Sequence, residues 1–394
     1  MPITAQQLAN AFPPPVMEAR GWADAADLPA DMPLLNLSQA APVDPPPETL
    51  RAAMAEIVLN DPGAHLYGPV LGLPELRAAV ARRWTEIYAA PLSADQVAIT
   101  SGCNQAFCAA IAAVADAGDN VILPTPWYFN HKMWLDMAGV GAQLLPCRAG
   151  MLPEVAEAEA LITDKTRAII LVSPNNPTGA EYSPALISGF AELARSRGLA
   201  LIIDETYRDF HSQSGPPHDL FAQAWQETVI QLYSFSKVYR LTGHRVGALV
   251  TSAARLAQIE KFLDTVTICP NQLGQRAALW GMEHLGDWVA AERAEILSRR
   301  AAIEHTLSAL PGWEILGCGA YFAYVAHPFD MPSDRLAQRL VAEAGVLLLP
   351  GTMFAPTQVQ GGDGVAERQL RIAFANADKD GIAVLGRRLA GFAP

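Results

Sequence analysis

Positive charge is scarce in this chain: 28 Lys and Arg stand against 40 Asp and Glu, a formal net charge of −12 at pH 7. No basic run of useful length offsets that deficit, which argues against nucleic acid and anionic membrane surfaces as partners. Cysteine is sparse as well. The five thiols, Cys103, Cys108, Cys147, Cys269 and Cys318, are odd in number, scattered and without C-x-x-C spacing. A reducing compartment is therefore expected, with neither a disulfide framework nor a zinc site. No uncharged apolar run reaches the roughly 18–20 residues of a membrane span. Residues Met1–Gln7 lack a charged segment followed by an apolar one, so no signal peptide is apparent and the expected location is the cytoplasm.

What the chain has is apolar material. Hydrophobic residues make up 51% of its 394 positions and charged ones 17%, enough for a large core plus a smaller domain, since chains divide beyond about 250–300 residues. The organising stretch is Tyr233–Gly247. The apolar run Val229–Tyr233 reads as a buried strand and Ala248–Val250 begins another. Between them a small-polar turn carries Lys237, then Arg245 flanked by Gly243 and Gly247. A Lys at a strand end can form a Schiff base with an aldehyde. The hydroxyls of Ser234 and Ser236 and the guanidinium of Arg245 suit a phosphate dianion. A solvated surface turn can carry the same residue types, so the stretch takes its meaning from the rest of the chain.

Residues 1–45 are Pro-rich at Phe12–Pro15 and near Val43, and read as an extended arm across the surface. Asn36–Pro42 fits a short strand, a substrate-contacting turn or a plain loop. Pro47–Val58 has helical spacing with Pro at its start. A Gly- and Pro-rich turn then exposes Tyr67 and leads into another helix. From about residue 95, short apolar strands alternate with Ala-rich helices, the pattern of a parallel, doubly wound sheet. Strand Gln96–Thr100 runs through Ser101, Gly102, Cys103 and Asn104 into helix Gln105–Val114, and such a helix N-terminus favours an anion. Strand Asn120–Leu123 leads to the aromatic loop Pro124–Lys132, at a carboxyl end where open sheets place ligands. Its aromatics fit a stack on a flat heteroaromatic ring or ordinary core.

Strand Arg167–Val172 ends in Ser173–Gly179, which holds Asn176 among rigid neighbours. Strand Ala200–Ile203 runs straight into Asp204, Glu205, Thr206 and Tyr207. A carboxylate after four apolar residues is half-buried and calls for a cation, and Tyr207 reaches the same side if the chain turns helical. Helices are expected at Leu256–Phe262, Gln272–His284 and Ala290–Leu310. An α+β region closes the chain with strands at Gly319–Val325, Val346–Leu349 and Gln369–Phe374, the last carrying Arg371, which needs either an anionic partner or an exposed edge.

Taken in order, Tyr67-Gly-Pro with Gly72–Arg77, Ser101-Gly102, Pro126–Tyr128, Asn175–Gly179, Asp204–Tyr207, Ser234–Lys237 with Gly243–Gly247, and Arg371 resemble the fold-type I, pyridoxal-phosphate-dependent aminotransferases of class I/II, the aspartate aminotransferase superfamily. These motifs span most of the chain. The resemblance implies a large domain with a mostly parallel seven-stranded α/β sheet and a smaller α+β domain. Residues 1–45 would form an arm and part of the small domain, 46–290 the large domain and 291–394 the rest of the small one. It implies pyridoxal 5′-phosphate as cofactor and Lys237 as its Schiff-base lysine and proton shuttle. Asp204 would pair with the pyridinium nitrogen, with His131 supporting it from behind. Tyr207 and Asn176 would bond the ring's 3-oxygen, and Tyr128, more than Trp127, would stack on the ring.

By the same resemblance the phosphate would take the backbone N–H groups of Gly102, Cys103 and Asn104, the side chains Ser234, Ser236 and Arg245, and Tyr67 from the second subunit of a homodimer. Arg371 would clamp the substrate α-carboxylate, with Ala40 and Asn176 also facing the substrate. Two departures stand out: Ala40-Ala41-Pro42, which narrows the pocket where the family often has Gly before Pro, and Cys103 in the phosphate turn. The implied reaction is ping-pong transfer of an amine from an L-amino acid to a 2-oxo acid. A C–S β-lyase shares the same residues, and a ligand-sensing regulator shares the fold. No Arg in Val266–Gln272 matches a clamp for a distal carboxylate, which leans towards neutral or aromatic substrates.

Overall fold

The computed structural model describes residues 4–393. Its central sheet has seven strands in the spatial order Val97–Thr100, Gly247–Val250, Val229–Ser234, Ala200–Asp204, Thr166–Val172, Asn120–Thr125 and Gly141–Pro146. The Gly247–Val250 strand runs against both neighbours and the other pairings are parallel. Parallel strands connected by crossovers are covered on both faces, which is why they read as unbroken apolar runs. Successive side chains still point to opposite faces. In the Ala200–Asp204 strand, Leu201 and Ile203 enter one core layer while Ala200 and Ile202 enter the other. That parity puts Asp204 on the second face and Glu205 on the first. Val172 lies beside Asp204, and Asp204 beside Leu232, so two strands end level and the third runs two residues further, to Ser234.

A second, antiparallel sheet has the order Leu349–Pro350, Gln369–Ile372, Phe322–Ala326 and Glu314–Gly319. The long helix Gly286–Ser308 and helix Lys379–Gly391 cover it, and Leu370 and Ile372 join their apolar layer. Leu35–Asn36 pairs in parallel with Val346–Leu347, bringing the N-terminal region onto this unit. Among the described residues, no helix is long and apolar enough to cross a membrane.

Three expectations need correction. The arm is not extended throughout: Pro15–Ala25 is a helix, with Pro15 in its first turn, where a missing N–H costs nothing. Gly319–Val325 is not one strand but a reversal, Ala320 taking φ 44° between two strands. Val346–Leu349 divides between two sheets.

Candidate active site

The strand ends enclose a cavity of about 370 Å³, within the usual range of small-molecule sites. Its wall includes Lys237, Asp204, Tyr207, Asn176, Tyr128, Cys103, Asn104, Ser234, Ser236, Arg245, Ala40 and Arg371, positions drawn from separate parts of the sequence. Trp127 stays outside that wall: its indole N–H donates to the Met353 carbonyl, 3.3 Å. Tyr67 is also outside. It is 81% exposed and lies near Pro270 and Asn271.

Asp204 is 4% exposed. Its Oδ1 accepts from the Thr206 N–H at 2.9 Å and its Oδ2 lies 3.3 Å from His131 Nε2. Burial alone would raise the carboxyl pKa, but the contacts from His131 and Thr206 outweigh it and hold the group below its ordinary value. His131 is kept in place by a stack on Phe107, centroids 3.8 Å apart at 16°. An ionised carboxylate so deeply enclosed fits an N–H⁺ partner in the cavity.

Lys237 is half-buried, with Nζ 5.8 Å from the Tyr207 ring centroid. Burial first, then the charges of Arg245 and Arg371, lower its pKa to about 8, leaving a much larger fraction of neutral amine near neutral pH than a free Lys has. Tyr207 donates to the Ala40 carbonyl at 3.4 Å, and burial, then Tyr128, pushes its phenol well up, so it stays a donor. Tyr128 is tied by Asn130 Nδ2 at 2.9 Å and by Asn104 Oδ1 at 3.3 Å.

One end of the cavity is bordered by a helix start. Helix Cys103–Val114 begins after Gly102, whose φ is 87°, and the first N–H groups of a helix have no acceptor within it. A Cβ on Gly102 would sit 2.2 Å from Arg245 Nη2. Arg245 itself adopts φ 51°, braced by Asn271 Nδ2 donating to the His244 carbonyl at 2.6 Å. Its Nη1 reaches the Thr242 carbonyl at 3.1 Å and Ser236 Oγ at 3.5 Å. Burial, then the Asp204 charge, pushes the Cys103 thiol pKa far up, so it stays protonated.

Arg371 is 1% exposed, so it is no edge residue. Its strand lies between two others, opposite Tyr324 and Leu349, and turns this side chain away from its own apolar layer and towards the large sheet. Nη1 donates to Asn176 Oδ1 at 2.9 Å and Nη2 to the Ser38 carbonyl, while Nε has no partner among the described residues. Among the described residues, no carboxylate lies within 4.0 Å. A buried guanidinium with a free donor is a seat for an anion.

Several residues were not anticipated. Val16, Met17 and Arg20 of the N-terminal helix, Gln39, Val172 and Thr206 also line the cavity. Behind it, on the opposite sheet face, Glu205 accepts from Tyr88 and Gln231 and lies 3.4 Å from His218, with Arg208 donating to Tyr88 at 2.9 Å. Glu205 adjoins Asp204 in sequence, and strand alternation was the available signal for its opposite role.

Pyridoxal phosphate presents an aldehyde, a ring N–H, a ring oxygen and a phosphate, and this cavity offers each a counterpart: a depressed amine, a buried carboxylate, phenol and amide donors, and a glycine-opened helix start beside Arg245. The residues present fit the group. Comparison with known proteins agrees. The family model for aminotransferase class I and II matches residues 33–389. The valine–pyruvate aminotransferase of Mycobacterium tuberculosis is 32% identical over 374 residues, 92% of this chain and 91% of that protein. The aspartate aminotransferase of Thermotoga maritima is 28% identical over 325 residues, 82% and 84%. Among solved structures, YbdL from Escherichia coli, with a methionine aminotransferase function, superposes with TM-score 0.89 at 25% identity over 100% of both chains. The Thermus thermophilus aspartate aminotransferase solved with maleate gives TM-score 0.88 at 24% identity over 99% of both, a likeness of fold. The chain belongs to the class I and II aminotransferases, pyridoxal-phosphate enzymes that pass an amino group from an amino acid to a 2-oxo acid.

Proposed function

We propose that Lys237 is the residue that holds the cofactor aldehyde and, once freed by the incoming amine, moves the proton at the substrate Cα. The observation that carries this is the meeting of Lys237, Asp204 and Arg371 in one cavity from three separate parts of the chain. When bound, the cofactor supplies an electron-withdrawing ring for the electron pair released at Cα. Every other requirement falls to side chains. Asp204, held ionised by His131, keeps the ring nitrogen protonated. Tyr207, turning its O–H from the long 3.4 Å bond to the Ala40 carbonyl, and Asn176 would donate to the ring oxygen, Tyr128 would pack against the ring, and Ser234, Ser236, Arg245 and the N–H groups of Gly102, Cys103 and Asn104 would hold the phosphate. Arg371 orients the α-carboxylate so that Cα–H faces Lys237, a positioning gain of the kind that dominates such reactions.

Tyr67 would complete the phosphate site of a second copy. Its exposure, and that of the apolar side chains Leu59, Leu66, Val266 and Ile268, supports a homodimer, and the five unpaired thiols fit the reducing cytoplasm as its location. The test is the absorbance of the purified protein with single amino acids added. A visible band that an amino donor converts to a near-ultraviolet one, restored by a 2-oxo acid and absent in Lys237→Ala, is expected. Release of ammonia and pyruvate instead would assign a lyase.

A further inference from the structure

Helix Pro15–Ala25 sends one face to the cavity: Val16, Met17 and Arg20 line the same space as Lys237 and Arg371. Arg20 donates through Nη2 to the neutral Gln39 Oε1 at 2.9 Å. Among the described residues, no carboxylate lies within 4.0 Å of it, although the chain carries 40 acidic residues. Gln39 is itself fixed from both sides. The carbonyl of Ser38 accepts from Arg371, that of Gln39 from Asn376 Nδ2, and that of Ala40 from Tyr207. The three-residue segment therefore ties the aim of Arg20 to the position of Arg371. Two guanidinium groups with no carboxylate partner line one cavity of about 370 Å³, Arg371 sealed in its wall and Arg20 exposed to solvent at its edge, with Nη1 4.0 Å from Met17 Sδ. An amino acid with one carboxylate answers only the first of them; a second carboxylate on a short apolar stem answers both, with Val16 and Met17 beside the stem.

We propose that Arg20 is a specificity-determining residue that selects amino acids and 2-oxo acids with an acidic side chain. This rests on the aminotransferase reading of the site. It reverses the lean towards neutral substrates, because the distal cation comes from the N-terminal helix and not from the 266–272 segment.

The experiment uses holoenzyme, wild type and the variants Arg20→Met and Arg20→Lys, in single-turnover reactions with L-aspartate, L-glutamate, L-alanine and L-leucine. The wild type should favour the acidic pair in kcat/KM, and Arg20→Met should lower the acidic-to-neutral ratio about 100-fold, chiefly through KM, as the loss of a charge-assisted bond predicts. Arg20→Lys should restore part of that ratio. Binding of unreactive succinate and butyrate, followed by the cofactor spectrum, gives a readout that needs no turnover: Arg20→Met should weaken succinate far more than butyrate. A ratio that does not move, or a wild type that favours the neutral pair, overturns the proposal. A wild-type band that no amino acid alters would overturn the aminotransferase reading together with it.

Discussion

Glu205 offers the sharpest test of the buried architecture behind the site. Its carboxylate is 1% exposed, takes hydrogen bonds from Tyr88 and from Gln231 Nε2 at 2.5 Å, and faces His218 at 3.4 Å. Burial would raise its pKa, but His218, Arg208 and Tyr88 together lower it from the ordinary 4.5 to about 2. A depressed carboxyl pKa is stability that is fully present above the unfolded value and is lost as pH falls through the folded one. From 4.5 to about 2, the contribution is roughly 3 kcal/mol. The change Glu205→Gln keeps the shape and removes the charge. It also takes one negative charge from the surroundings of Arg208, which packs on Trp84 at 3.9 Å, and removes the carboxylate 3.4 Å from His218, and breaking a buried pair on one side costs about 3–5 kcal/mol. We expect Glu205→Gln to lower the unfolding free energy by about 3 kcal/mol at pH 7 in urea titrations at matched protein concentration. The gap should narrow by about 1 kcal/mol at pH 4, where the unfolded carboxyl of the parent protein is largely protonated. A loss under about 0.5 kcal/mol at pH 7, or a gap that widens on acidification, would refute the electrostatic account.

The rate at which the cofactor-free protein captures pyridoxal phosphate should rise with pH and level off above about 8, where Lys237 becomes neutral; stopped-flow absorbance checks this, and an inflection near the ordinary Lys value of 10.5 would contradict it. Gly102→Ala should weaken cofactor binding by about 10-fold or more, since the added Cβ meets Arg245 at 2.2 Å with φ at 87° and an L side chain is strained there; a fluorescence titration would show it, and unchanged affinity would speak against Arg245 as a phosphate contact. His131→Phe keeps the ring against Phe107 but removes the 3.3 Å contact to Asp204. The carboxyl pKa should then rise, moving the acidic limb of the kcat–pH profile upward and lowering kcat about 10-fold.

Much of this architecture was legible in the chain. The parallel strands announce themselves as unbroken apolar runs because both faces are buried, and the loops after them carry Gly, Pro, Asn and Ser where a strand must stop. Lys237, its serines and Arg245 lie within one short stretch, so their association needs little tertiary structure. The edge strand Gly141–Pro146 escaped notice because it is only partly buried and ends in Pro; an edge strand need not be apolar on both faces. The three prolines at Pro13–Pro15 hid a helix, since Pro is a breaker everywhere except the first turn.

What the sequence by itself determined, then, is local: strand, helix and turn identity, and the chemistry held within a single loop. Its ordered motifs also determined the family. The tertiary structure alone decided burial and convergence. Arg371 reads as an ordinary strand Arg until register places it opposite Tyr324 and Leu349 and seals it from water. Arg20 lies 217 positions before Lys237 in the sequence, 237 minus 20, yet lines the same cavity. Asp204 and Glu205 are adjacent carboxylates with opposite fates because a strand alternates its faces. Which face becomes a cofactor cavity and which a sealed ionic core depends on the helices packed there, and that is a property of long-range packing that no local pattern carries.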